Sequence, residues 1–188
     1  MMSEAEIRKH LENKLSPKRY RHSLAVADEA RRLANAWGAD ADKAYLAGLV
    51  HDCCKDTPAN ILLQTADDFG IIISNIEKAA PKLLHAKIGS VYLQRVFGID
   101  DPDIALAVRY HTTARAGMSL LEKVLYLADF TSADRDYDGV DEMRRAVDIG
   151  LENAMRIALS FTIGELAQKQ SPIHEDTFAA YNEIMLAK

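Results

Sequence analysis

At 188 residues the chain fits a single domain and can bury a substantial core without metal or disulfide staples. A formal net charge of −5 argues against a nucleic-acid surface, which needs clustered Lys and Arg, so an anionic ligand requires a local basic pocket. The two cysteines, Cys53 and Cys54, are adjacent, which suits neither a disulfide framework nor a thiolate metal site, while no stretch reaches the roughly 20 apolar residues of a membrane span and Met1–Lys14 is too charged for a signal peptide; a cytoplasmic protein with no membrane contact is expected.

Few glycines and prolines and almost no β-branched alternation point to an all-α class. Ser3 with Glu6 makes a capping box for a short first helix, and Ser16-Pro17 supply an N-cap and first-turn proline for a second helix running to Gly38. There Val26, Ala27, Ala30, Leu33 and Ala34 form a broad apolar stripe, and His22 lies one turn before Val26 on it, so His22 faces inward. Asp40 caps a third helix with little polar face, expected to be central, in which Ala47 and Gly48 let neighbours approach one turn before His51.

Thr57-Pro58 opens a helix to about Phe69, followed by an apolar linker and a weaker helical segment that Pro81 ends. Lys82–Phe97 reads as one helix carrying His85, stopped at Gly98; Asp101-Pro102 begin another that ends near Tyr110, with His111 at its exit. Ser119 with Glu122 is a second capping box, opening a helix whose stripe of Leu121, Val124, Leu125 and Ala128 leads to Asp129. After a polar, turn-rich run from Asp134 to Asp141, Glu142–Gln170 reads as one long helix and Ser171-Pro172 as the start of the last. These C-terminal helices, 141–188, are expected to complete the core or a dimer, with His10 and His174 as surface or capping residues.

The chemistry centres on Leu49-Val50-His51-Asp52-Cys53-Cys54-Lys55-Asp56, where an apolar run ends in a histidine beside a carboxylate. Imidazole and carboxylate suit first-row metals, but adjacent residues on a helix point about 100° apart and grip an ion only from its corner, so other ligands must arrive from elsewhere. His22, His85, His111 and Asp129 are the candidates. A carboxylate on an apolar stripe, as Asp129 is, is costly unless paired or metal-bound. Six such groups are too many for one ion with open positions, so two ions are expected; with no thiolate in the set, iron, manganese or another first-row ion stands ahead of structural zinc. Lys55 shares the face of His51 and Asp52, and Thr112, Arg115 and Arg135 follow or flank the ligands, giving hydroxyl and cationic groups for phosphate oxygens.

The ordered set His22, His51-Asp52, His85, His111 and Asp129 resembles the HD-domain superfamily of metal-dependent phosphohydrolases. Two further runs, Arg109-Tyr110-His111-Thr112-Thr113-Ala114-Arg115 through Lys123 and Leu125-Tyr126-Leu127-Ala128-Asp129 followed by Arg135-Asp136, are similar to the YqeK branch, symmetrical dinucleoside tetraphosphatases. The resemblance implies a helical HD domain whose first metal takes His22, His51, Asp52 and Asp129, and whose second takes His85 and His111 and shares Asp52. It implies hydrolysis of diadenosine tetraphosphate to two ADP, with Asp52 and Lys55 catalytic, Lys55, Thr112, Arg115 and Arg135 on the substrate, and a homodimer. Two departures bear on the substrate loop: Ala114 stands where the family has glycine, and Ser132-Ala133 replace Glu-Pro. The residues alone also fit another HD-type phosphohydrolase, acting on a nucleoside monophosphate, a deoxynucleotide or a guanosine alarmone, or a non-catalytic metal or nucleotide sensor.

Overall fold

The computed structural model describes residues 1–187, so the final residue of the predicted 141–188 segment, Lys188, lies outside the described part. The described residues are helical, with no strand. Helix α1 (Glu4–Lys14) begins at Ser3, whose side chain and that of Glu6 satisfy one another's backbone donors. Helix α2 (Pro17–Trp37) starts at the Ser16 cap and stops at Gly38 in the left-handed region, φ 79°. Helix α3 (Ala41–Val50) is capped by Asp40, which accepts from the Asp42 and Lys43 N–H groups. Then follow α4 (Ala59–Asp68), α5 (Asn75–Ala79), α6 (Leu84–Tyr92), α7 (Pro102–Tyr110) and α8 (Leu120–Thr131), the last opened by the Ser119–Glu122 box. Helices α9 (Val140–Ile149), α10 (Leu151–Gln168) and α11 (Glu175–Leu186) complete the chain.

Three expected boundaries differ. Lys82–Phe97 is not one helix: a 3-10 turn at Pro81–Leu83 leads into α6, which widens into a π turn at Leu93–Phe97 before Gly98. The long helix expected over Glu142–Gln170 breaks at Gly150, which is extended, and the direction changes there although the apolar spacing of Val147, Leu151 and Ala154 runs on. The last helix starts three residues after Ser171-Pro172, because the His174 imidazole, not Ser171, accepts the Asp176 N–H.

Helices α3 and α8 are buried on almost every side. Along α8 all residues from Leu121 to Ala128 are buried except Lys123, a wider burial than the stripe predicted. Helix α2 lies close on α3 because Gly48 has no Cβ: a methyl group there would sit 2.6 Å from Ala27 Cα and 2.9 Å from the Val26 carbonyl oxygen. One buried cluster runs from Ile7 and Leu11 through α2, α3, α7 and α8 to Met143, Val147, Met155, Leu159 and Ile184, so the C-terminal helices share the core of the ligand-bearing helices. Helix α11 also fastens the loop after His111, since the Thr177 hydroxyl donates to the Thr113 carbonyl at 2.7 Å and Glu183 accepts from the Gly117 N–H. Among the described residues no helix is long and apolar enough to cross a membrane.

Candidate metal centre

The six predicted ligands, spread over 107 positions of sequence, meet in one buried cluster. His22 comes from the first turns of α2, His51 and Asp52 from the end of α3, His85 from the start of α6, His111 from the end of α7 and Asp129 from the last turn of α8. Two groups have donor atoms all within 4.8 Å of one another: His22, His51 and Asp129, and His51, Asp52 and His111. His85 joins the second, its Nε2 lying 3.1 Å from Asp52 Oδ1 and 3.1 Å from His111 Nε2. His22 Nε2 lies 2.9 Å from Asp129 Oδ1 and 4.0 Å from Asp52 Oδ2, so Asp52 faces histidines of both groups.

Backbone carbonyls fix the imidazoles. The Nδ1 of His51 donates to the Gly48 carbonyl at 2.6 Å, that of His111 to the Val108 carbonyl at 2.7 Å and that of His85 to the Lys82 carbonyl, each three residues earlier. A carbonyl oxygen only accepts, so all three protons reside on Nδ1 and all three Nε2 atoms turn lone pairs towards Asp52. His22 is anchored by a side chain, its Nδ1 lying 2.9 Å from Asp134 Oδ2, and the Ser132 hydroxyl donates to the other oxygen of Asp134 at 2.8 Å. Ser132, one of the two departures, thus orients the carboxylate that orients His22.

Burial would push the Asp52 carboxyl up, yet His51, His111 and His85 around it hold it well below the usual carboxylate range. Asp129, only partly buried, is likewise held far down, by His22 and then by Arg135. Burial lowers His85 and drives His111 down to about 4, so both are neutral donors at pH 7. His51 Nε2 and Asp52 Oδ1 are buried without a hydrogen-bond partner. Such groups cost free energy unless something satisfies them. Lone pairs facing lone pairs across a buried space are relieved by cations, and the nitrogen and oxygen donors suit first-row ions. The residues fit a metal.

Three cations border this cluster with partly exposed side chains. Lys55 Nζ lies 3.2 Å from His85 Nε2 and 3.8 Å from Asp52 Oδ1, and Arg135 hydrogen-bonds the Asp129 carboxylate. The third, Arg19, was missed from sequence: its Nη1 donates to Asp52 Oδ2 at 2.7 Å. Its position three residues before His22 on α2 was the available signal. Asp134 was missed too. A cleft of about 410 Å³ opens beside Arg19 and Arg135, lined by Lys18, Arg19, His22, Asp134 and Arg135 among others, and Lys55 is not part of its lining.

Arg115 is placed differently: it makes a bidentate pair with buried Glu122 at 2.6 and 2.8 Å, and its other hydrogen bond goes to the Ala116 carbonyl rather than to the cluster. The Thr112 hydroxyl is buried beside His111 without a partner. Ala114 takes the left-handed conformation, φ 57°, that glycine would adopt without strain, and so keeps the turn despite its Cβ.

The geometry defines a helical protein with a buried His/Asp metal centre, and the HD domain family matches residues 19–134, which contain all six ligands: the chain belongs to the HD-domain family. Divalent-metal binding accompanies that membership, and the two His/Asp groups correspond to it. Within the family the chain is 38% identical over 172 residues to a symmetrical bis(5'-nucleosyl)-tetraphosphatase of Halalkalibacterium halodurans, covering 92% of this chain and 91% of that one. It is 37% identical over 178 residues to the protein of the same name from Bacillus subtilis, covering 92% of each. A crystal structure from Clostridium acetobutylicum, described as a predicted HD superfamily hydrolase involved in NAD metabolism, superposes with a TM-score of 0.97 at 39% identity over 100% of both chains.

Proposed function

We propose that the protein hydrolyses the phosphoanhydride chain of diadenosine tetraphosphate symmetrically, releasing two ADP. The observation that carries phosphoanhydride hydrolysis is Asp52 itself: buried, flanked by histidines on one oxygen and on the other by Arg19, which links it to a cleft edged by cations. The choice of substrate is supported by the names of relatives aligned over more than nine-tenths of the chain.

His22, His51, Asp52 and Asp129 would hold one metal, and His85 and His111 a second with Asp52 shared; iron is the ion proposed, ahead of manganese or another first-row ion. Two such ions supply Lewis acidity, a lowered pKa for bound water and a clamp on the entering and leaving oxygens. The chain's own groups do the rest. His51, His85 and His111 have their Nδ1 protons committed to carbonyls, so they serve as fixed lone-pair donors and not as proton shuttles. Lys55, Arg19 and Arg135 neutralise the polyphosphate, exchanging their present contacts with Asp52 and Asp129 for phosphate oxygens, with the unpartnered Thr112 hydroxyl as a further donor. Arg115, bound to Glu122, contributes by holding the loop that carries Thr112. A homodimer belongs to the same proposal, supported by the exposed Phe178, Met185 and Leu186 of α11, and a reducing cytoplasm by two buried free cysteines.

The test is turnover of a substrate panel by metal-loaded protein: diadenosine tetraphosphate, deoxynucleoside monophosphates, a guanosine alarmone, and a nicotinamide dinucleotide because of the description of the Clostridium protein. Fastest turnover of diadenosine tetraphosphate is expected. Turnover of deoxynucleoside monophosphates alone would move the protein to the rival branch, and turnover of none would make it a sensor.

A further inference from the structure

Beside the metal centre is a second cavity, of about 220 Å³, lined by Asp129, Phe130, Arg135, Tyr137, Phe161 and Glu165. Arg135 and Tyr137 also line the cation-edged cleft, so the two spaces adjoin across those side chains. Three aromatic rings from α8, the loop after it and α10 make one wall. Tyr137 and Phe161 lie 5.3 Å apart at 44°, Phe130 and Phe161 6.3 Å apart at 87°, and the Tyr137 hydroxyl donates to the Phe130 carbonyl at 3.1 Å. All three rings are only half-buried, so the core does not account for their outward faces. Glu165 is exposed, its carboxylate joined among the described residues to Lys169 at 3.0 Å, a surface pair that yields readily.

We infer that this cavity is the nucleobase subsite, in which a purine stacks on Tyr137 and Phe161 while Glu165 accepts a hydrogen bond from its exocyclic amino group. The inference rests on the nucleotide reading of the metal centre and extends it to the base. A stack on aromatic rings tolerates any base, because every base has a π face. A carboxylate does not: it attracts an amino donor and repels a carbonyl oxygen in the same place. Adenine, with an amino group where hypoxanthine has a carbonyl, is therefore preferred. Arg135, between the two spaces, binds the phosphates that enter the cleft and sets the distance from base to cut.

Calorimetry on the metal-loaded protein tests this with ADP, IDP and inorganic diphosphate. Phe161→Ala is expected to weaken ADP roughly tenfold, the size of a base–aromatic stack, and to leave diphosphate unchanged; Phe161→Trp should restore ADP binding. Glu165→Gln, at an exposed position that does not bear on folding, should shrink the wild-type preference for ADP over IDP. Equal weakening of ADP and diphosphate in Phe161→Ala, or an ADP/IDP ratio untouched by Glu165→Gln, would overturn the subsite. The two readings fail separately. If wild-type protein cleaves diadenosine tetraphosphate while Phe161→Ala binds ADP normally, only the subsite falls. If it cleaves none of the panel yet loses ADP specifically in Phe161→Ala, the subsite stands and the hydrolase reading falls.

Discussion

Replacing Gly48 by alanine probes how the fold delivers its ligands. The added Cβ would lie 2.6 Å from Ala27 Cα, 2.8 Å from Ala27 N and 2.9 Å from Val26 O, all backbone atoms that no rotamer change can clear. Restoring an ordinary 3.4 Å contact requires α2 and α3 to separate by about 0.8 Å, the difference of the two distances. Overpacking of this kind costs about 1–3 kcal/mol, and alanine's better helix propensity returns about 1 kcal/mol. The net loss is thus up to roughly 2 kcal/mol, a fall in Tm of up to about 8 °C for a chain of this size. The functional effect should be larger than the stability effect, because His22 rides on α2 and His51 and Asp52 end α3, and a displacement near 1 Å costs on the order of a hundredfold in rate. Gly164→Ala is the control: a Cβ there meets nothing within 4 Å inside α10, so stability should rise slightly and kcat/KM should not change. The assays are thermal melting, metal content and kcat/KM on diadenosine tetraphosphate. Wild-type metal content and rate in Gly48→Ala would refute the claim that this contact sets the ligand geometry.

Three other substitutions test the supporting contacts. Asp134→Ala removes the partner of His22 Nδ1 and should weaken metal binding by about 10- to 100-fold, read by titration against a chelator, with the melting of chelated protein little changed. Ala114→Gly relieves a left-handed alanine, about 1–2 kcal/mol, but frees the unfolded chain by about 0.4–1 kcal/mol and removes a fully buried methyl worth about 0.8 kcal/mol, so Tm is expected to stay within about 3 °C of wild type, and a fall of about 8 °C or more would show that the turn carries no strain. Arg115→Ala leaves buried Glu122 with only its capping-box partners and should cost about 1–3 kcal/mol in denaturant unfolding; a loss of kcat/KM at unchanged stability would instead assign Arg115 to the phosphates directly.

Much of this arrangement was legible because local rules and tertiary structure agree. The Ser3–Glu6 and Ser119–Glu122 boxes, the Gly38 stop and the small Gly48 are each read from a few neighbouring residues, and each appears as expected. His22 and Asp129 declared themselves by sitting on apolar stripes, where an unpaired polar group is costly. Groups whose role exists only across space were not legible. Arg19 reads as an ordinary first-turn cation until α3 brings Asp52 to it, and Asp134 reads as loop polarity until His22 arrives from 112 positions away. The Ser74–Glu77 box, which starts α5, is masked by a short segment of weak periodicity. The break at Gly150 was hidden because Val147, Leu151 and Ala154 keep helical spacing through it: periodicity records which face is apolar and not the direction of the axis.

The central claim, symmetrical cleavage directed by this centre, is met most directly by hydrolysing diadenosine tetraphosphate in isotopically labelled water and resolving the nucleotide products by mass. The account predicts ADP as the sole nucleotide product, with the labelled oxygen on the terminal phosphate of one of the two ADP molecules formed. ATP and AMP in equal amounts would contradict it, since the cations beside Asp52 and Asp129 would then be holding the phosphate chain one unit out of register.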